Sequence, residues 1–269
     1  MRIATWNVNS VNARLPTVLA WLEAAQPDVV AMQEIKTVDE KFPREAFESL
    51  GYSIETHGQK SYNGVALLSK YPMSDVRRGL PGGEGTGPDG TDDDHARYIE
   101  AVIEAPVPVR VGGIYLPNGN PVASGKFPYK LAWMERLRAH ARDLLAFEEP
   151  LVLCGDYNVI PTPADAKNPS AWVGDALYQP QSQAAFRALK YLGLSEAGEL
   201  GEQPPGTYTF WDYQAGAWQR DHGIRIDFHL LSPQAADRFR GVETHRDARD
   251  MDKPSDHVPV VIDLALDAA

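Results

Sequence analysis

Cysteine is nearly absent: Cys154 is the single one among 269 residues, which rules out an internal disulfide framework. It sits in the apolar run Leu151-Val152-Leu153-Cys154, where a small buried thiol accounts for it without any chemistry. No stretch approaches the ~18 consecutive apolar residues of a membrane helix, and the chain runs from Met1-Arg2 straight into apolar sequence with no charged-then-apolar leader. A cytoplasmic protein with no membrane association is expected. There is no Gly-x-Gly-x-x-Gly after the first strand, no Gly-x-Ser-x-Gly elbow, and no Cys-x-x-Cys or His-Glu-x-x-His pair. These absences exclude a dinucleotide fold, a serine hydrolase of that type and a zinc site of those types. Positive charge is also scarce, with 26 Lys and Arg against 37 Asp and Glu, a formal net charge of −11. That argues against polyanion binding, which needs cations. The deficit is uneven, however: Glu84, Asp89, Asp92, Asp93 and Asp94 crowd one Gly- and Pro-rich stretch, while Lys60, Lys126, Arg220 and Arg225 lie elsewhere. A local field can therefore differ in sign from the total, and these four cations are the expected phosphate contacts.

What is present describes an ordinary folded chain, since 43% apolar residues fill a substantial core. Strand-like apolar runs occur over 28–32, 64–68, 98–103, 109–115, 151–154, 225–231 and 258–262. Leu15, Val18, Leu19 and Leu22 share one helical face over 15–25, and Leu131, Met134, Leu137, Ala141 and Leu144 share another over 130–147. The runs at 64–68, 98–103 and 109–115 have no helix between them, so an antiparallel meander is expected there. The fold class is α/β: a four-layer α/β/β/α sandwich of two mixed, largely antiparallel sheets packed face to face. With no repeat or linker in sight, residues 1–269 form one catalytic domain.

Polar residues collect at the ends of the apolar runs: Asn7 and Asn9, Glu34, Tyr115 and Asn118, Asp156 and Asn158, Asp227, Asp256 and His257. A layered fold brings strand ends to one rim. One carboxylate so placed is ordinarily a solvated terminus or cap, but Glu34 and Asp156 repeat the context, and Gly155 permits a close backbone approach. Asp227 interrupts the apolar run Ile226-Asp227-Phe228, and a buried carboxylate costs several kcal/mol unless paired. His257, beside Asp256 just before the last run, is a suitable partner. The set is oxygen-rich with a single histidine. Hard oxygen ligands suit Mg²⁺, with Mn²⁺ as a substitute, and metal-assisted attack of water on a phosphate ester follows.

Taken together, the motifs resemble the exonuclease III family of AP endonucleases, within the endonuclease/exonuclease/phosphatase superfamily. The pieces run nearly end to end: Trp6-Asn7-Val8-Asn9, Gln33-Glu34-Ile35-Lys36, His57-Gly58-Gln59-Lys60, Tyr115-Leu116-Pro117-Asn118, Lys126-Phe127-Pro128-Tyr129-Lys130, Gly155-Asp156-Tyr157-Asn158, Thr209-Phe210-Trp211, Gly223-Ile224-Arg225-Ile226-Asp227 and Ser255-Asp256-His257. The resemblance implies a Mg²⁺-dependent base-excision-repair nuclease that cuts double-stranded DNA 5′ to abasic sites, with 3′-5′ exonuclease and 3′-phosphatase or phosphodiesterase work. It makes Glu34 the principal metal ligand with Asn7 and Asp256 nearby, and Asp156, Asn158 and His257 close enough to share the metal. Asp156 becomes the base, Asn158 the holder of water or phosphate, Tyr115 and His257 the phosphate contacts, and Asp227 the partner of His257. Phe210, Ile224 and Ile226 would line a pocket for the baseless sugar, while Asn9, His57, Lys60, Asn118, Lys126, Trp211 and Arg225 would face substrate. No obligate protein partner is implied, and a monomer is expected. A phosphatase of the same superfamily acting on a lipid or small molecule remains the alternative, and a catalytically dead module would have lost some of these residues.

Overall fold

The computed structural model describes residues 1–266. Twelve strands alternate irregularly with six helices: β1 (Arg2–Asn7), α1 (Leu15–Ala25), β2 (Val29–Gln33), α2 (Arg44–Glu48), β3 (Ser53–His57), β4 (Val65–Ser69), β5 (Met73–Arg78), β6 (Tyr98–Ile103), β7 (Val109–Tyr115), α3 (Lys126–Leu145), β8 (Leu151–Asp156), α4 (Pro180–Lys190), β9 (Ser195–Glu196), α5 (Ala197–Leu200), β10 (Asp227–Leu231), α6 (Pro233–Ala236), β11 (Phe239–Thr244) and β12 (Val260–Leu264). They form two six-stranded sheets, ordered β11-β12-β1-β2-β4-β3 and β5-β6-β7-β8-β10-β9. In each, one central parallel pair, β1/β2 or β7/β8, is flanked on both sides by antiparallel neighbours. All strands of the second sheet come from one unbroken stretch, 73–231, inserted between β4 and β11 of the first.

The sheets pack face to face over a core in which Ile3, Ala31 and Leu67 meet Ile99, Val111 and Val152. Helices cover the outer faces. On the first sheet, α1 buries Val18, Trp21 and Leu22 against Trp6. On the second, α3 and α4 bury Trp133, Leu137 and Phe186 against Tyr98 and Phe228. The four-layer sandwich expected from the sequence is therefore the architecture found. Among the described residues no helix is long and apolar enough to cross a membrane.

The expected meander is found only in part. β6 and β7 are an antiparallel pair, but β4 belongs to the other sheet, between β2 and β3. Every residue of β4 is buried, which is the setting of a central strand, while the polar and largely exposed β5 starts the second sheet at its edge.

The period-2 alternation of three strands prepares the site. On the faces turned toward the opposite sheet, β1 reads Ile3, Thr5, Asn7, and β8 reads Val152, Cys154, Asp156. The antiparallel β10 reads Leu231, His229, Asp227 in the same spatial direction. The inter-sheet core thus turns from apolar to polar toward one mouth, where the parallel strands β1, β2, β7 and β8 all end.

Candidate active site

At that mouth Asn7 links the two sheets. Its Nδ2 donates to Glu34 Oε1 at 2.8 Å and to Asp156 Oδ2 at 3.0 Å, joining a carboxylate that follows β2 to one that ends β8. Asp156 Oδ1 accepts the backbone N–H of Asn158 at 2.9 Å, closing a tight turn. Asn158 Nδ2 in turn donates to the Leu116 carbonyl at 2.9 Å, and Asn118 Nδ2 donates to Asn158 Oδ1 at 3.3 Å. Opposite, His257 Nδ1 donates to Asp227 Oδ2 at 2.8 Å, while His257 Nε2 stands 3.6 Å from Asp156 Oδ2. The loop carrying His257 is tied to β1 by Trp6 Nε1 on the His257 carbonyl, 3.0 Å, and Ser255 Oγ on the Asn7 carbonyl, 2.6 Å. Asn9, Glu34 and Asn158 all hold left-handed backbone, with φ of 45°, 52° and 46°. Non-glycine residues seldom adopt that conformation, and it clusters where a site requires it.

Electrostatics divide this cluster into two halves. Burial raises the Asp156 carboxyl well above the usual aspartate range, with the charge of His257 opposing it. For His257 burial works against the proton, but the carboxylates of Asp227 and Asp156 prevail and raise its affinity. Oxygens of Asp156 and Asp227 and a nitrogen of His257 lie within 4.8 Å of one another, close enough for a metal ion. Yet both ring nitrogens of His257 already face carboxylates, so these three residues are better suited to hold a proton. In the other half the acceptors are all oxygens. Burial would raise the Glu34 carboxyl, but Lys36, Asn7 and His257 outweigh it and keep it low. The Lys36 ammonium lies 2.8 Å from Glu34 Oε2 and 2.6 Å from Asn9 Oδ1, and Asn9 Nδ2 reaches Asp256 Oδ1 at 3.1 Å. A place where Glu34 and Asn9 already accommodate a cation, with Asp256 beside it, fits a hard divalent ion.

These groups border a cavity of about 300 Å³ lined by Glu34, Tyr115, Asn118, Asp156, Asn158, Phe210, Ile226, Asp256 and His257. Burial, then the charge of Glu34, raises the Tyr115 phenol, which stays protonated as a donor. Phe210 packs its ring 5.0 Å from His257. Several residues expected to face substrate lie elsewhere. Trp211 is fully buried against Trp218 and donates Nε1 to Asp221 at 3.1 Å, because chain alternation turns it inward where Phe210 turns out. Ile224 is buried behind Phe210, with which it exchanges backbone bonds, and does not line the cavity. Arg225 is bound to Asp165 at 2.7 Å and Glu196 at 3.1 Å, over the Phe228 ring; it is an internal brace, not a phosphate contact. His57 and Lys60 end β3 and begin the next loop, outside the cavity, and Lys126 is exposed at the start of α3.

The cavity also has walls that the sequence did not announce: Trp172, Asp175, Leu177 and Asp212. The first three come from irregular chain between β8 and α4, where no periodicity could mark them. Lys36 carried a usable signal, since it follows Glu34 by two residues in the segment Gln33-Glu34-Ile35-Lys36. Lys130 falls in the segment Lys126-Phe127-Pro128-Tyr129-Lys130, but nothing there marked it as buried: a lysine is the residue least expected inside, and burial pulls its ammonium down to about 7, against the charges of Asp156 and Asp175.

Comparison with known proteins bears on this geometry. Residues 4–257 match the endonuclease/exonuclease/phosphatase family. The chain is 32% identical to exodeoxyribonuclease III of Haemophilus influenzae, over 97% of this chain and 98% of that protein. It is 28% identical to an exodeoxyribonuclease of Bacillus subtilis, over 97% and 98%. Among solved structures it is similar to the 3′ phosphatase NExo from Neisseria bound to product DNA hairpin, with TM-score 0.90, 36% identity and 98% and 99% of the two chains covered. An AP endonuclease from Archaeoglobus fulgidus matches at TM-score 0.89 and 34% identity, over 98% and 99%.

Proposed function

The chain belongs to the endonuclease/exonuclease/phosphatase family, on its exonuclease III branch, and from that premise we propose that it hydrolyses double-stranded DNA 5′ to abasic sites and trims 3′ ends, using Mg²⁺. It is a DNA-repair nuclease, a phosphodiester hydrolase. The observation that carries the finer reading is the Asn7 amide, which holds a carboxylate in a cation-holding niche of oxygen acceptors beside a carboxylate whose burial makes it a base. We take residues 1–269 as one catalytic domain that works as a monomer in the cytoplasm with no obligate protein partner.

Asp156 is the group that removes a proton from the attacking water. Its orientation is fixed by donors at both oxygens, and its raised affinity brings it toward the operating pH, where a general base is most effective. Asn158 and Asn118 present amide groups to the water or the phosphate. The His257 cation, aligned by Asp227, and the Tyr115 phenol stabilise charge growing on the phosphate oxygens. Glu34, with Asn7 and Asp256 beside it, would hold Mg²⁺, which when bound supplies Lewis-acid stabilisation of the phosphoryl oxygens. Phe210 and Ile226 form the apolar side of the cavity, facing the sugar.

A gel assay on three end-labelled duplexes, abasic, recessed 3′-hydroxyl and 3′-phosphate, tests this reading. Cleavage of the abasic duplex in Mg²⁺ and its loss in EDTA are expected. Release of inorganic phosphate from an inositol phosphate with no cleavage of any duplex would overturn it.

A further inference from the structure

Lys130, on the second turn of α3, has none of its surface exposed, and it is the one fully buried lysine among the described residues. An ammonium inside a protein costs several kcal/mol unless its protons find acceptors. Two acceptors are present, the Asn158 carbonyl at 2.5 Å and the Asn118 carbonyl at 3.1 Å. These belong to the two asparagines whose side chains bond to each other at the cavity. The stem is fitted as closely: Gly119 holds φ 89°, and a Cβ there would lie 2.7 Å from Lys130 Cδ. A shorter or apolar side chain would have served to fill the core. A lysine with both carbonyls in reach does something a hydrophobe cannot.

The carbonyl of Asn158 is the point that needs holding. Its backbone is left-handed, φ 46°, which an asparagine adopts at some cost, and Asp156 secures only the N–H side of the residue. Without Lys130 the Asn158 carbonyl loses its donor, and the aim of the residue then depends on the Asp156 turn and on the side-chain bonds to Leu116 and Asn118 alone. We propose that Lys130 is a positioning residue for phosphodiester hydrolysis, gripping the Asn158 and Asn118 carbonyls from behind the cavity so that the Asn158 amide stays aimed at the reacting group. The proposal rests on the reading of Asn158 as a site residue.

The test is a double-mutant cycle of K130M and N158A, with kcat and KM measured on the duplex that the parent cleaves fastest, at a temperature where circular dichroism shows each protein folded. K130M should lower kcat about 10–100-fold, the usual range for losing a partner that orients a site residue, and leave KM near the parental value. In the N158A background it should cost little more, because two residues that act through one group are not additive. An additive loss, or a parental kcat in K130M, overturns the role of Lys130 while leaving the site reading intact. Parental turnover in N158A instead sinks the site reading itself. K130Q, which keeps a donor, repeats the cycle where K130M is unstable, and a chain that unfolds with both substitutions assigns Lys130 to the fold alone and overturns the proposal.

Discussion

Three residues set the pH range in which the site works. Asp156 must be deprotonated to act as a base, and because burial raises its pKa, the acid limb of kcat/KM should lie above the ordinary aspartate range. His257 must be protonated, and although burial opposes this, Asp227 and Asp156 raise its pKa, so the alkaline limb should lie above that of an ordinary histidine. Replacing Asp227 with Asn removes one of the two raising charges, the one that accepts from Nδ1. His257 then loses its proton at lower pH, and the alkaline limb of D227N should move down while the acid limb moves less. A pH–rate profile that superimposes on the parent would show that His257 does not act as a cation. In the same measurement, D156N should lose about 10²-fold or more in kcat, the contribution expected of a general base. Most of this constellation was legible in the sequence, because a charge inside an apolar strand, as at Asp227, or at its end, as at Glu34 and Asp156, demands an explanation. Lys130 and Arg225 were not, since nothing in a chain marks which cation is turned inward until its carbonyls or carboxylates are placed in space.

At the scale of elements, legibility followed burial. Central strands β6 and β7 are almost wholly buried and, apart from one charge each at Glu100 and Arg110, lack charged residues; they were readable to the residue, whereas β3, β5 and β11 are edge strands with exposed positions and no apolar run to mark them. The α3 helix begins at Lys126, ahead of the expected start at Lys130, and its buried face already includes Phe127 and Tyr129. The segment 207–226 is another case. It reaches the loop after β8 through backbone bonds from Lys167 to Gly223 and from Arg225 to Asp165, and the Arg225 side chain clamps the same loop to β9. R225A leaves two largely buried carboxylates without their cation and should cost roughly 3 kcal/mol in urea unfolding. It should not change how duplex affinity depends on salt. Lys60, Lys126 and Arg220, in contrast, are exposed and form no ion pair among the described residues. Each changed to Ala should flatten the logarithmic salt slope by about one unit if it neutralises one phosphate. Identical slopes in all four variants and the parent would rule out a basic rim.

At the scale of the whole molecule, part of the charge excess is gathered in one place. Glu84, Asp89, Asp92 and Asp94 are exposed in one loop, and Asp93 anchors that loop to α3 by accepting from Arg136 and Tyr129 at 2.6 and 2.9 Å. Acid will test the interior instead. Burial lowers His229, between the sheets, from 6.5 to about 3, so the unfolded chain takes up the proton first. Its contribution to stability is complete above pH 6.5 and is lost as pH falls toward 3, at up to about 1.4 kcal/mol per pH unit. H229L should therefore lose less stability than the parent between those values; parallel curves in urea titrations would refute this. The nesting of one sheet within the other has a further meaning for a chain made from its N-terminus. β5 to β10 can close their sheet while β1 still lacks β12 and the site lacks His257. Cutting power thus depends on residues made after every strand of the second sheet. A chain halted after Asp252 should fail to incise duplex DNA, and incision at the parental rate would contradict this. A product of translation cut short before His257 then lacks the histidine on which the site depends.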